Sequence, residues 1–203
     1  MKTSKQFYTE LTPEGLANRK EKEHTSQEIK YLKRILNKKY KILDLACGYG
    51  RFTIPLAKQG YKIEGIDITP SLIKKAKELS NKSNLKIMFR VGDMRRLPYQ
   101  KENFDSIICM WSAFNELYKE KDQESAIKEM LRILSYNGFV FIEMPYTKKV
   151  SSYVRDVKRR IELRKIGNRI NVGKISGVES MPSYAHNKTT LLNLMKKTKI
   201  KKI

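Results

Sequence analysis

Chemistry in this chain concentrates in the run Ile42-Leu43-Asp44-Leu45-Ala46-Cys47-Gly48-Tyr49-Gly50-Arg51. An apolar stretch carries an acid, then passes into a turn with two glycines two residues apart. Glycine allows a tight backbone and lets a ligand approach it closely. A helix that starts there offers free N–H groups and a positive end. A dinucleotide oxidoreductase would place a third glycine three residues after the second, and this chain has Thr53 there. A carboxylate ahead of the glycines, Asp44, suits a cationic ligand group better than a pyrophosphate. Two more acids follow apolar runs in the same way: Asp67 after residues 61–66, and Asp93 after residues 85–91 and Gly92. An ionised carboxylate accepts two hydrogen bonds at once, as a pair of vicinal hydroxyls demands.

For these acids to meet, each must sit at the end of a strand in one sheet. The residues predict strands over 41–45, 61–66, 85–91, 104–110 and 139–144. Helical spacing predicts a helix over 14–37 with Pro13 in a first-turn position, and others over 51–59, 70–79 and 122–134. Gly60 closes the second of these, and Thr69 is placed to cap the third. Asn137-Gly138 reads as the turn into the last strand. Strands alternating with helices argue for an α/β fold, a doubly wound, mostly parallel sheet with helices on both faces. Ligands of such sheets bind at the carboxyl ends of the strands. Three regions follow: an N-terminal helical segment (1–40), the core (41–145) and a basic C-terminal segment (146–203). In the last, residues 151–165 read as a basic helix, 166–178 as irregular or hairpin-like, 188–197 as a helix and 200–203 as the opening of a strand.

The run from Asp44 to Gly50 resembles motif I of the class I S-adenosylmethionine-dependent methyltransferases, acid-x-Gly-x-Gly-x-Gly, with Ala46 in place of the first glycine. Asp67, Gly92-Asp93-Met94, the strand 104–110 and the helix–strand unit 129–145 match the family's later motifs in order. The resemblance covers residues 40–145 and implies a Rossmann-like fold with S-adenosylmethionine as cofactor. It implies cofactor contacts from Asp44, Ala46, Gly48, Gly50, Asp67, Ile68, Asp93, Met94 and Met110. Asp67 would hold the ribose hydroxyls and Asp93 the adenine amino group. Arg19 and Tyr8 could close over the cofactor's carboxylate. The resemblance also implies two more strands after the last helix. The sequence has residues for one at most, so an open sheet edge and pairing into a homodimer through it are expected.

The acceptor is expected beyond the fourth strand, around Trp111-Ser112-Ala113-Phe114-Asn115-Glu116-Leu117-Tyr118. This loop lacks the Asn/Asp-Pro-Pro-Tyr/Phe of nucleic-acid amino methylases, and Cys109 lies inside the strand rather than in a Pro-Cys loop. A small molecule bearing a hydroxyl, amine or carboxyl is the expected acceptor, with Glu116 orienting it or accepting a proton. Trp111 and Phe114 wall the pocket or the core. His186 either touches substrate or ends a turn, and His24 reads as a surface residue. Cys47 and Cys109 read as packing residues, too few for a disulfide framework or a zinc site. No run of 18 apolar residues is present, and a reduced, cytoplasmic protein is expected. The formal charge of +22 divides into +5, +4 and +13 over residues 1–40, 41–145 and 146–203. A nucleic-acid partner is therefore possible but not favoured over Lys-rich composition. The alternatives are an RNA or protein methyltransferase gripping substrate with its basic segment, and a cofactor-binding protein without turnover.

Overall fold

The computed structural model describes residues 2–17, 22–144 and 186–198, with short strands between residues 155 and 184. Five strands form the central sheet: β1 (Lys41–Leu45), β2 (Lys62–Asp67), β3 (Phe89–Val91), β4 (Phe104–Cys109) and β5 (Leu134–Ile142). Their order is β3-β2-β1-β4-β5, and every pairing is parallel. The order reverses at β1, so the ends of β1 and β4 open a crevice there.

The alternation of each strand sends successive side chains to opposite layers. Ile42, Ile63 and Ile108 pack with Leu32, Leu36, Phe52 and Leu56. Those partners belong to α2 (Lys22–Ile35), the residue after it and the α3 region (Thr53–Lys58). Leu43, Leu45, Ile107 and Cys109 pack the other way, with Ala126, Ile127, Met130 and Leu194 of α5 (Glu120–Ile133) and α6 (Lys188–Thr198). The helix α4 (Pro70–Lys82) joins Cys47, Ile54 and Phe89 through Ile73 and Ala76. Lys197 ties α6 to Glu120 and Glu124 of α5, at 3.1 and 3.3 Å.

The structure corrects four expectations. The helix expected over 14–37 is two helices, α1 (Ser4–Ala17) and α2. Within α1, Thr12 is non-helical (φ 62°, ψ 161°), and its hydroxyl accepts the Gly15 N–H at 3.3 Å. Pro13 therefore opens a fresh turn, as its missing N–H allows. The third strand begins at Phe89 rather than 85, because this sheet edge pairs only with Gly65, Ile66 and Asp67. Asn137-Gly138 is not a turn before β5 but lies inside it. Register moves from Phe104↔Leu134 to Ser106↔Phe139, leaving Tyr136 95% exposed on a bulge. A Cβ at Gly138 would stand 2.8 Å from the Asp105 carbonyl, so close backbone approach needs glycine there. Where a basic helix is expected over 151–165, the described residues are strands instead, β6 (Arg155–Asp156) and β7 (Ile161–Ile166). Ile161 and Leu163 alternate with Glu162 and Arg164, a period of two.

β7 pairs antiparallel with β8 (Arg169–Val172), and β8 with β11 (Pro182–Tyr184), in keeping with the hairpin-like reading of this stretch. β9 (Lys174–Ile175) and β10 (Val178–Glu179) form a separate pair. The helix expected over 188–197 is α6. Arg19 and the strand expected over 200–203 lie outside the described residues, as does the side chain of His24. Among the described residues, no helix is long and apolar enough to cross a membrane.

Candidate active site

A cavity of about 400 Å³ opens at the carboxyl ends of β1, β2, β3 and β4, within the size range of small-molecule sites. Its floor is the turn after β1. Ala46, Gly48 and Gly50 all have positive φ (61°, 56° and 84°). Ala46 adopts the left-handed conformation in which its Cβ is a strain and glycine would have none. At Gly50 a Cβ would lie 2.9 Å from Ile54 Cδ1 and 3.2 Å from Phe89, so the turn and the core behind it exclude a side chain.

The turn is stitched to β2 through Asp67. Its Oδ2 accepts the Gly48 N–H at 3.0 Å and its Oδ1 the Thr69 N–H at 2.8 Å. Cys47 N–H donates to the Ile66 carbonyl at 3.0 Å. Asp67 is 7% exposed and lies on the cavity wall. Burial raises the pKa of its carboxyl against the pull of those two N–H groups. Each oxygen has taken one backbone donor and retains acceptor capacity.

Ile68, Asp93, Met94 and Arg95 continue the wall past β2 and β3. Asp93 holds Arg95 through its backbone N–H (2.9 Å to Oδ1) and its guanidinium. Burial raises the Asp93 pKa, but the hydrogen bonds from Arg95 outweigh it and hold the carboxyl below its ordinary value. Met110 and Trp111 form the wall beyond β4, with Ala113 and Glu116 of the short helix Ala113–Glu116. Trp111 and Ser112 both have left-handed φ (61° and 59°), and Glu143 Oε2 accepts the Trp111 N–H. Strain on two residues without glycine is a feature of functional loops. Lys2, just before α1, and Lys5 and Tyr8 within it also line the cavity, and the Tyr8 hydroxyl donates to Glu116 Oε1.

The structure thus gathers Ala46, Gly48, Asp67, Ile68, Asp93, Met94, Met110 and Glu116 around one hollow. Asp44 and Gly50 stand behind its lining. Asp44 is 1% exposed and accepts the Thr53 hydroxyl at 2.6 Å. Burial, reinforced by the charge of Asp67 and opposed by Thr53, pushes its carboxyl up to about 7. His186 is buried against Phe114 and Tyr184 rather than on the wall. Asn115 is buried too, donating to the Tyr184 carbonyl. Sequence reasoning missed Arg51. Its guanidinium lies 3.7 Å from the Trp111 ring, pairs with Glu28 at 2.8 Å and donates to Thr25. It ties α2 to the glycine turn and the end of β4. Its position directly after Gly50 was the signal available. Among the described residues, no group of three His, Cys, Asp or Glu is placed to hold a metal ion.

Residues 42–138 match the methyltransferase domain family. Through these residues, a little under half of its length, the chain is similar to the class I S-adenosylmethionine-dependent methyltransferases. It is 34% identical to the ubiquinone biosynthesis O-methyltransferase of Pelagibacter ubique over 118 residues, 58% of this chain and 46% of that protein. It is 32% identical to the demethylmenaquinone methyltransferase of Deinococcus radiodurans over 108 residues, 52% of this chain and 43% of that protein. The chain spans about half the length of the curated relatives it matches. The fold of a Methanosarcina mazei methyltransferase superposes with a TM-score of 0.67 at 21% identity, covering 83% of this chain and 82% of that one. The methyltransferase family takes S-adenosylmethionine, and the wall suits it in kind. A buried carboxylate with spare acceptor capacity meets a diol, and carboxylates and aromatic rings meet a cation. Both arginines of the wall, Arg51 and Arg95, already have carboxylate partners.

Proposed function

We propose that the chain transfers a methyl group from S-adenosylmethionine to a small-molecule oxygen or nitrogen acceptor. The carrying observation is Asp67: a buried carboxylate fixed by the Gly48 and Thr69 N–H groups on a cavity wall. S-adenosylmethionine supplies a methyl group on a sulfonium, which leaves as a neutral thioether. In this reading Asp67 holds the ribose hydroxyls, while Asp93 and the Met94 N–H receive the adenine edge. Ala46, Gly48 and Gly50 keep the floor low enough for the amino-acid end, and Ile68 and Met110 supply apolar walls. Asp44 acts from behind, bracing the turn through Thr53.

The acceptor sits between Trp111, Tyr8 and Glu116. Glu116, whose Oε1 accepts from Tyr8, meets an acceptor hydroxyl or ammonium and takes up its proton. Alignment supplies much of the rate in a displacement of this kind, so Glu116 orients first and accepts a proton second. The names of the two relatives, each carrying a quinone, support a small-molecule acceptor. The test is calorimetry with S-adenosylhomocysteine, then incubation of the protein and methyl-labelled cofactor with a metabolite extract. Cofactor binding with label passing into a small molecule is expected. Label passing only into RNA, lost steeply with added salt, would replace this reading with one in which residues 146–203 grip a polyanion. Binding without any transfer would make the chain a cofactor-bound protein lacking turnover.

A further inference from the structure

Asp93 is already engaged before any ligand arrives. An ionised carboxylate offers about four acceptor positions. Arg95 brings three donors to them: its backbone N–H reaches Oδ1 at 2.9 Å, Nη2 reaches Oδ2, and the single Nε–H is shared between both oxygens at 3.0 Å. An amino group brought to Asp93 must compete with the guanidinium that lies across both oxygens. A destination is already in contact. Arg95 Nη1 donates to Asp122 Oδ2 at 3.2 Å, in the first turn of α5, where the helix N-terminus favours negative charge. Asp93, Arg95 and Asp122 line the same cavity. Their side chains are 29%, 41% and 28% exposed, so the guanidinium has room and water to exchange partners.

We infer that Arg95 is a built-in competitor for the adenine seat: it occupies Asp93 in the free protein and passes to Asp122 when the adenine amino group takes its place. This rests on the reading above, in which Asp93 receives that amino group. Arg95 thereby sets specificity, since only a ligand that can donate at this position recovers the lost contact with Asp93. A purine without the 6-amino group displaces the guanidinium and recovers nothing.

The experiment is calorimetry with S-adenosylhomocysteine, whose sulfur is uncharged, so that removing a cation does not alter affinity through the sulfonium. Arg95→Met is expected to bind it about three- to tenfold more tightly, the scale of an exposed ion pair. Asp122→Asn is expected to bind it about threefold more weakly, because the displaced guanidinium has lost its second seat. Arg96→Met, the same charge change one residue on, stays within about twofold of wild type. The 6-deamino analogue, with hydrogen in place of the amino group, gains less than about twofold from Arg95→Met. Weaker binding by Arg95→Met would overturn the inference and make Arg95 a pin that holds Asp93 in place. An equal gain for the deamino analogue would overturn it too, since the gain would not arise at Asp93. Failure of the underlying reading looks different: wild type does not bind S-adenosylhomocysteine, or Asp67→Ala binds it as well as wild type.

Discussion

Asp67 and Asp93 close one cavity from neighbouring strand ends, and they are held in opposite ways. Asp67 is gripped by two backbone N–H groups from the turns that flank it, and it is almost fully buried. Those donors belong to the fold, lose no side-chain entropy on binding and cannot swing away. Asp93 takes one backbone N–H, from Arg95, and is otherwise gripped by the guanidinium of that residue, whose side chain is 41% exposed and already touches a second carboxylate. Such a pair is worth little and exchanges easily. A carboxylate at a strand end is thus a rigid receptor where backbone holds it and an exchangeable one where a surface side chain does.

The sharpest way to break this contrast is to delete both carboxylates in turn. Asp67→Ala should weaken S-adenosylhomocysteine binding roughly 100-fold or more, losing two charge-assisted hydrogen bonds and the brace on Gly48. Asp93→Ala should cost about tenfold or less, because removing it also frees Arg95. Equal losses in calorimetry would erase the distinction. The rigidity of the Asp67 side can be tested at Gly50. Gly50→Ala, with φ +84° and a Cβ 2.9 Å from Ile54, should lower Tm by about 5–10 °C. Gly60→Ala has nearly the same φ (+86°) with nothing within 4 Å, and should lower it by about 2–4 °C. Equal shifts would mean that backbone conformation alone matters at the turn.

A smaller effect separates Asp44 from the acids on the wall. Its folded pKa of about 7 lies above the ordinary 3.8, so the folded state binds the proton more tightly than the unfolded one. Its contribution to stability is complete below pH 3.8 and is lost as pH rises through about 7. Asp44→Asn, which can still accept from Thr53, should leave Tm near wild type at about pH 4. At pH 8 it should raise Tm by about 5 °C. His186 works the other way. Burial depresses its pKa from 6.5 to about 4, so the stability of its neutral form is lost as pH falls through that window. An Asp44→Asn stability curve parallel to wild type would place Asp44 with the ordinary surface acids. The smallest effect is ionic. Raising salt from 50 to 500 mM should tighten S-adenosylhomocysteine binding about twofold in wild type, by screening Arg95 from Asp93, and leave Arg95→Met unchanged.

Most of the sheet was legible in the residues because periodicity and punctuation agreed. Apolar strands, glycine stops and acids at strand ends placed β1, β2, β4 and α4–α6 within a few residues. The errors have one source. Asn137-Gly138 has turn chemistry, yet the approach of the Asp105 carbonyl recruits the glycine as a bulge within β5. Residues 161–166 are as basic as a solvent-facing helix, and only pairing with residues 169–172 makes them a strand. Within α1, the helix spacing gave no sign of the break at Thr12 or of the contact of Tyr8 with Glu116, 108 residues away in the chain.

The order of elements, the turn carrying Gly48 and Gly50 and the three acids at the carboxyl ends of β1, β2 and β3 were determined by local sequence. Backbone freedom, side-chain period and hydrogen-bonding capacity are properties of each residue and its near neighbours. What each acid faces was decided by tertiary structure. Asp44, Asp67 and Asp93 read alike along the chain. Yet one is sealed in with Thr53, one is fixed by two N–H groups on an open wall, and one is shared with a partly exposed guanidinium. Burial and partner identity depend on distant segments packing together, and they set both the proton affinity and the freedom of a carboxylate.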